Sequence, residues 1–321
     1  MITEALVKAA VFGGTAPSIH NSQPWRWRIE ADELDLRLDR TRLLATADPD
    51  ARLAVLSCGA ALHHARLELI AAGWTAEVDR LSPADGDHLA RIRLTGRADP
   101  DRGAARLVRA ALRRRTDRRP GAGPPLDYDK LRSIAAAVRA EGADLTTLRP
   151  RQTFGLAAAL ERAQEVQEAD AAWQVELATW VGDPRSGGTG VPTSALPPDP
   201  LRRTAPARVL RRASAALIED IRHHAAVFAV LSTAGDQRPD WLRGGEALSA
   251  GWLTATDIDV SVLPLSIVIE VAGSRSIVRD LLGPAGGHPH LVLRFTAGPP
   301  ATAGPRTPRL PASTIIDRGG P

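Results

Sequence analysis

The sequence predicts an α+β chain and carries a weak sign that one α+β unit occurs twice. Two observations point that way. Helical and strand periodicities are interspersed along the 321 residues. In addition, the stretch His88-Leu89-Ala90-Arg91-Ile92-Arg93-Leu94-Thr95-Gly96 is similar to His290-Leu291-Val292-Leu293-Arg294-Phe295-Thr296-Ala297-Gly298. Each stretch follows a segment with a Gly–Trp pair, AAGWTAEV in the first case and SAGWLTATDIDV in the second. The similarity is weak, and from these residues alone duplication and chance both account for it. A spacing of about 200 residues excludes a solenoid array.

The elements follow in order. Residues 2–13 place Ile2, Leu6, Ala9 and Ala10 at helical spacing, and Gly13-Gly14 stop the helix. TAPSIHNSQPW is a loop bounded by Pro17 and Pro24. Residues 25–29 and 34–38 alternate as strands around the turn 30–33. Residues 51–72 form the clearest helix, with an apolar face from Leu53 through Leu69 and Gly73 as its cap. Strands are expected at about 74–79 and 89–95, and a basic helix at 104–115. Pro120–Pro125 is a linker. Helices at 127–140 and about 152–181 flank a short strand at 144–148. Residues 182–206 are rich in Gly, Pro and Ser, and a loop that long reads as a lid or binding loop. A core strand at about 225–232, a helix at about 240–256, a short strand near 260, a helix near 266–282 and a strand at 290–296 follow. The tail is extended and Pro-rich.

Composition removes several classes. The chain carries 39 Arg and 2 Lys against 37 acids, so a pI near 10.1 accompanies a net charge of only +4. The high pI reflects Arg in place of Lys. No basic block with interleaved aromatics appears, so no nucleic-acid partner is expected. The single Cys58 excludes an internal disulfide and a cysteine-rich metal site. No apolar run approaches the roughly 20 residues of a membrane span, and the N-terminus lacks an export signal. No membrane partner is expected, and the expected location is the cytoplasm. The adjacent pairs His63-His64 and His223-His224 read as surface histidines. Cys58 reads as a small core residue. No metal site is predicted, and the sequence has no GxGxxG after a strand, no GxxxxGK[ST], no HExxH and no GxSxG.

Three segments stand out. Ala16-Pro17-Ser18-Ile19-His20-Asn21-Ser22-Gln23-Pro24-Trp25 gathers hydroxyl and amide groups in a Pro-bounded loop. A capped turn is its plainer reading. Arg113-Arg114-Arg115-Thr116-Asp117-Arg118-Arg119-Pro120 concentrates planar guanidinium forks suited to a phosphate. A solvated basic face is the plainer reading there. Arg306-Thr307-Pro308-Arg309-Leu310-Pro311 lies in the tail.

Together these segments resemble the flavin-dependent nitroreductase family. APSIHNSQPW is similar to its APSxxNxQPW motif. RRTDRRP is similar to its RRSxRxF motif, with Thr116 for Ser and Pro120 for Phe. RTPRLP is similar to its Arg-Leu-Pro tail. The order of the first two motifs is reversed relative to ordinary members, which resembles the Acg-type branch. The resemblance implies a nitroreductase-like α+β fold with two similar halves fused as a pseudo-dimer. The halves would be 1–103 and 104–321, with the lid-like insertion in the second.

It also implies one FMN site. Arg114, Arg115 and Thr116 would hold the phosphate, with Arg118 near. Arg309, and Arg306 beside it, would close over that end. Ser18, His20, Asn21 and Gln23 would reach the ring and ribityl chain, and Pro264-Leu265-Ser266 would run along the ring edge. No side chain is expected to be catalytic, because the flavin carries the chemistry. The implied activity is ping-pong reduction of nitro compounds or quinones, with NADH or NADPH as donor. The implied partners are a small-molecule acceptor and at most a weak homodimeric copy. A quiet FMN-holding protein, its flavin shielded by the lid, is the alternative.

Overall fold

The computed structural model describes residues 2–80, 86–118, 124–182, 188–196, 226–284, 286–299 and 307–318. The first sheet starts with a hairpin of β1 (Trp25–Glu30) and β2 (Glu33–Leu38). Their register pairs Trp25 with Leu38, Trp27 with Leu36 and Ile29 with Leu34, which puts all six on the buried face. Period-two alternation in WRWRIE is what makes this face apolar. β3 (Trp74–Arg80) and β4 (His88–Arg97) continue the sheet antiparallel. A last short strand, β11 (Ile316–Arg318), adds to β1 in parallel, giving the order β11-β1-β2-β4-β3.

The second sheet is antiparallel throughout. It contains β5 (Asp144–Thr147), β8 (Val227–Thr233), β9 (Val260–Leu265) and β10 (His288–Ala297) in the order β5-β8-β10-β9. A two-residue parallel pair, β6 (Val181–Gly182) and β7 (Val191–Pro192), stands apart.

Two long helices link the sheets. α1 (Ile2–Gly13) and α2 (Arg52–Ala71) cover the first sheet, and α7 (Arg238–Asp257) covers the second. α2 and α7 pack on each other at very close range. A Cβ on Gly59 would collide with the Leu242 carbonyl, and one on Gly245 with the Leu56 carbonyl. Leu56, Gly59 and His63 in α2 have the same spacing as Leu242, Gly245 and Ser249 in α7, and His63 Nδ1 lies 2.8 Å from Ser249 Oγ. Charge pairs span the same contact. The fully buried Glu246 accepts from Arg66 at 2.6 Å and from Arg80 at 2.7 Å, and Arg66 also reaches Glu141 at 2.7 Å. Arg52 pairs with Asp236 and stacks on Trp241, 4.5 Å from the ring centre.

The sheets share a topology. β1-β2-β4-β3 and β5-β8-β10-β9 match in order and in antiparallel sense. α2 and α7, 20 residues each, are displaced by 186 positions at both ends (52 to 238, 71 to 257), and β3 and β9 begin at the same displacement (74 to 260). β4 and β10, 10 residues each, are displaced by 200 (88 to 288). The extra positions hold α8 (Ile267–Glu270) and α9 (Ala272–Leu282). The Gly–Trp cue does not follow this register. Gly73 ends α2 with φ 75° and Trp74 opens β3, whereas Gly251-Trp252 lies inside α7.

Other expectations need correction. The basic helix is α3 (Arg102–Arg113), which stops before Arg114. α4 (Tyr128–Ala140) agrees with its prediction. The helix expected at 152–181 is two, α5 (Pro150–Ala169) and α6 (Ala171–Trp180). Asp170 breaks it and accepts hydrogen bonds from Ala172 N and Trp173 N as the cap of α6. The helix near 266–282 is also two, parted at the extended Val271. The tail is not wholly extended: α10 (Ala312–Ile315) precedes β11.

His63 and His64 are buried, not on the surface. Cys58 is fully buried as expected, and burial pushes its thiol up. Among the described residues one helix, α2, is long and apolar enough to cross a membrane, and 83% of that stretch is buried within the protein. No cluster of metal-ligating side chains occurs among the described residues. Arg306, Arg119, His223-His224, residues 120–123 of the linker, and residues 183–187 and 197–206 of the lid-like stretch lie outside the described residues.

Candidate functional site

The loop after α1 turns sharply. His20, Asn21 and Gln23 all sit in the left-handed region, with φ 43°, 56° and 52°. Such backbone costs of order 1–3 kcal/mol per residue and persists where surrounding contacts over-determine it. Here the contacts are explicit. Ser18 Oγ accepts from Gln23 N at 2.9 Å, and Ser57 Oγ on α2 accepts from Ile19 N at 3.1 Å. Asn21 Nδ2 donates to the carbonyls of Gly190 at 3.0 Å and Pro308 at 3.1 Å. Gln23 Nε2 donates to Gly188 O at 2.8 Å, and its Oε1 accepts from Leu310 N at 2.9 Å. Two side-chain amides thus fasten three segments: the loop, residues 188–190 and the tail.

Arg309 joins this knot. It donates to Asn21 Oδ1 at 2.9 Å and to Thr15 O at 3.1 Å. Arg114 reaches the same Thr15 carbonyl at 3.5 Å and sits over the Trp252 ring, 4.6 Å from its centre. Leaving α3 at Arg113 lets residues 114–118 run beside β9. Thr116 bridges Val262 in parallel, and Asp117 N donates to Val262 O at 3.1 Å. Arg118 donates to Ala195 O at 3.2 Å.

Charge at this end is unbalanced. Among the described residues no carboxylate pairs with Arg114, Arg118 or Arg309. Burial lowers all three: Arg114 to about 9, with Arg309 and Arg115 adding repulsion, Arg309 to about 10, and Arg118 in the same direction. Arg114 Nε, Arg309 Nε and His20 Nε2 are buried without a hydrogen-bond partner. His20 is neutral at pH 7, since burial and then Arg118 hold it at about 4. Uncompensated buried cations are costly, so the arrangement calls for an anion.

One pocket gathers most of the expected residues. Ser18, His20, Asn21, Arg114, Thr116, Arg118, Pro264, Leu265, Ser266 and Arg309 all line it. Gln23 and Arg115 do not. Gln23 is spent on the tail and Gly188, and Arg115 donates to the Arg114 carbonyl at 2.9 Å. The remaining walls are largely apolar: Leu53 and Leu56 from α2, Leu248 and Trp252 from α7, Trp173 from α6, and Leu263 and Ile267.

Sequence reasoning missed a second polar group. Glu270, at the end of α8, lines the same pocket and accepts from Gln167 Nε2 at 2.8 Å. Burial, with Asp48 adding to it, raises its carboxyl to about 7. The available cue was a lone acid in the apolar run Ile267-Val268-Ile269-Glu270-Val271. Trp252 carried no such cue.

No family model matches the chain. Curated relatives do. A Mycobacterium tuberculosis H37Rv protein provisionally named NAD(P)H nitroreductase Rv3131 is 35% identical over 310 residues, 94% of this chain and 88% of that one. Another from that strain, provisionally named NAD(P)H nitroreductase acg, is 34% identical over 321 residues, 98% of this chain and 96% of that one. Among solved structures, an FMN- and NADPH-dependent nitroreductase, NfnB, from a sphigopyxis strain is 17% identical. That match covers 67% of this chain and 99% of that one, with a TM-score of 0.45.

Proposed function

The chain belongs to the nitroreductase-like FMN-binding family, with Acg-type members among its relatives, and from that premise we propose that it is an FMN-dependent NAD(P)H oxidoreductase. The observation that carries the proposal is a set of three arginines at one end of a largely apolar pocket, Arg114 buried and Arg118 and Arg309 half-buried, with no carboxylate partner among the described residues. This donor set fits a phosphate, and the Leu53, Leu56, Leu263 and Trp173 walls fit a flat conjugated ring.

In this reading Arg114 and Arg309 hold the phosphate by charge-assisted hydrogen bonds, with Thr116 and Arg118 beside them. Arg306 would belong to the same end. Asn21 and Gln23 hold the tail and residues 188–190 in place, so that Arg309 faces the pocket. The backbone at Pro264-Leu265-Ser266 borders the ring. The flavin, when bound, supplies two-electron transfer, and the protein orients it and keeps water out. Nitro compounds or quinones are the proposed acceptors. The two halves are proposed as a fused pseudo-dimer, a reading supported by the equal strand order of the sheets. Further pairing would be at most a weak homodimer.

A second reading, a quiet FMN holder, draws on the hydrogen bonds that tie Gly188 and Gly190 down onto Gln23 and Asn21. One experiment separates the two. Purified protein should show flavin absorption, and anaerobic NADH or NADPH should bleach it. Bound flavin that neither donor reduces would favour the holder, and protein without flavin after FMN loading would reject both.

A further inference from the structure

The pocket holds two polar clusters that share no hydrogen bond. One is the arginine end. The other is Glu270, with Gln167 on α5, Ser266 and Trp173 around it. The second cluster contains no cation. Among the described residues the charged group that bears on Glu270 is Asp48, itself buried before α2 and accepting from Leu53 N and Ala54 N at 3.0 and 2.8 Å. The neighbours on α5 and α6, Gln167 and Trp173, are neutral. A carboxylate here would lie in a largely apolar pocket beside a like charge, and hydrogen bonding from Ser266, Gln167 and Trp173 does not offset the cost of its burial. A protonated carboxyl has an O–H to give, and Gln167 already donates to the other function of the group by way of Oε2.

We propose that Glu270 is a hydrogen-bond donor of this pocket, holding a proton on its carboxyl and offering it to an acceptor atom of the bound conjugated ring. This rests on the flavin reading and adds a residue to it. The consequence is a ligand preference. The ring end of the pocket favours a ligand that presents a hydrogen-bond acceptor there, such as a ring carbonyl or ring nitrogen. The site therefore differs at its two ends, a cationic grip at the arginines and a neutral donor at Glu270. Because the carboxyl titrates at about 7, the donor is present at pH 6 and mostly lost at pH 8.

The test uses lumiflavin, which has the ring and no phosphate, so that phosphate ionisation plays no part. Its binding to the flavin-free full chain is followed by fluorescence between pH 5.5 and 8.5, for the wild type and for Glu270→Gln. Wild-type affinity should fall about tenfold from pH 6 to pH 8, as the competent fraction falls. Glu270→Gln keeps an N–H donor at every pH, so its profile should be flat. Infrared difference spectra of the ligand-free proteins give a readout independent of flavin. The wild type should show a protonated-carboxyl band at pH 6 that fades by pH 8 and is missing in Glu270→Gln. A missing band overturns the inference, and so does the same pH profile in both proteins. If FMN and lumiflavin both fail to bind either protein, the flavin reading itself falls, and the inference falls with it. A flat wild-type profile with FMN bound overturns the inference alone.

Discussion

At the residue scale, the pocket is organised around a charge it does not balance. Arg114 is 8% exposed and partnered by a carbonyl and an indole face. Replacing a buried ion by an apolar side chain of similar length is often neutral or stabilising. Arg114→Met should therefore leave the melting temperature of the flavin-free chain unchanged or raised. FMN affinity should fall about 10- to 100-fold, from loss of a charge-assisted bond of about 1.5–3 kcal/mol. Calorimetry and a binding titration check the two halves of this prediction. Equal FMN affinity in the variant would remove Arg114 from the phosphate end.

Histidines supply a second residue-scale prediction. His20, His63 and His290 are each held at about 4 by burial. Their folded pKa values lie below the unfolded value of 6.5, so the unfolded chain takes up protons first as pH falls. Their contribution to stability is whole above pH 6.5 and is lost progressively toward pH 4. Glu270 acts in the opposite sense between pH 7 and 4.5, because its folded pKa is raised. Melting temperatures across pH 7 to 4 should fall less steeply for His63→Gln than for the wild type. The decisive comparison is the slope, since the variant also weakens the contact with Ser249.

At the element scale, the α2–α7 contact is set by two glycines whose backbones touch. Neither has a positive φ, so alanine strains nothing within its own helix, and the cost is wholly steric. Gly245→Ala should lower stability by about 1–3 kcal/mol or more through overpacking, read as a lower urea midpoint. Gly59→Ala should do the same. An unchanged midpoint would mean that the helices can separate freely.

The elements themselves were largely legible from periodicity. α1, α4 and the β1–β2 hairpin stand near their expected places because one face of each is apolar at the right period, and α2, β9 and β10, buried on nearly every side, because they are apolar runs between turn signals. The breaks at Asp170 and Val271 were not legible. Asp is a favoured cap, but a lone Asp within a polar helical run is a weak sign of a break, and it is the hydrogen bonds from Ala172 N and Trp173 N that mark this one. His63 and His64 were misjudged for a related reason. Polar side chains on a helix read as exposed until other elements are laid over them, here α7 over His63 and Phe12 of α1 with Thr15 over His64.

At the scale of the whole molecule, the pocket draws on distant parts of the chain, and local signals carry little of that. The three motifs named the arginine end of the pocket and the loop beside it, because Pro-bounded polar loops and arginine runs are visible in any window. Glu270, Trp173 and Trp252 were not visible, since the sheet and helix packing bring them in. The Gly–Trp pairs do not occupy equivalent places in the two sheets, and the equal strand order of those sheets was not legible from periodicity. The tail was read as a simple extension, yet β11 pairs with β1 and places Arg309 beside Thr15. Removing residues 307–318 should therefore cost both a strand of the first sheet and FMN retention. Losing only one of the two would show that they are separable, as read by thermal unfolding and flavin content of the truncated protein.

That same tail sets a timetable for synthesis. Thr15 and Arg309 are bonded across 294 positions, and Asn21 meets Pro308 across 287. During translation the loop emerges early and waits, with His20, Asn21 and Gln23 lacking the contacts that hold their left-handed backbone. The arginine end is assembled only when the ribosome has passed Arg309. A nascent chain can form the β1–β2 hairpin and α2 first, but it has no complete anion grip to offer until Arg309 has emerged. Capture of an anion would thereby wait on a segment 294 positions beyond the loop that it joins.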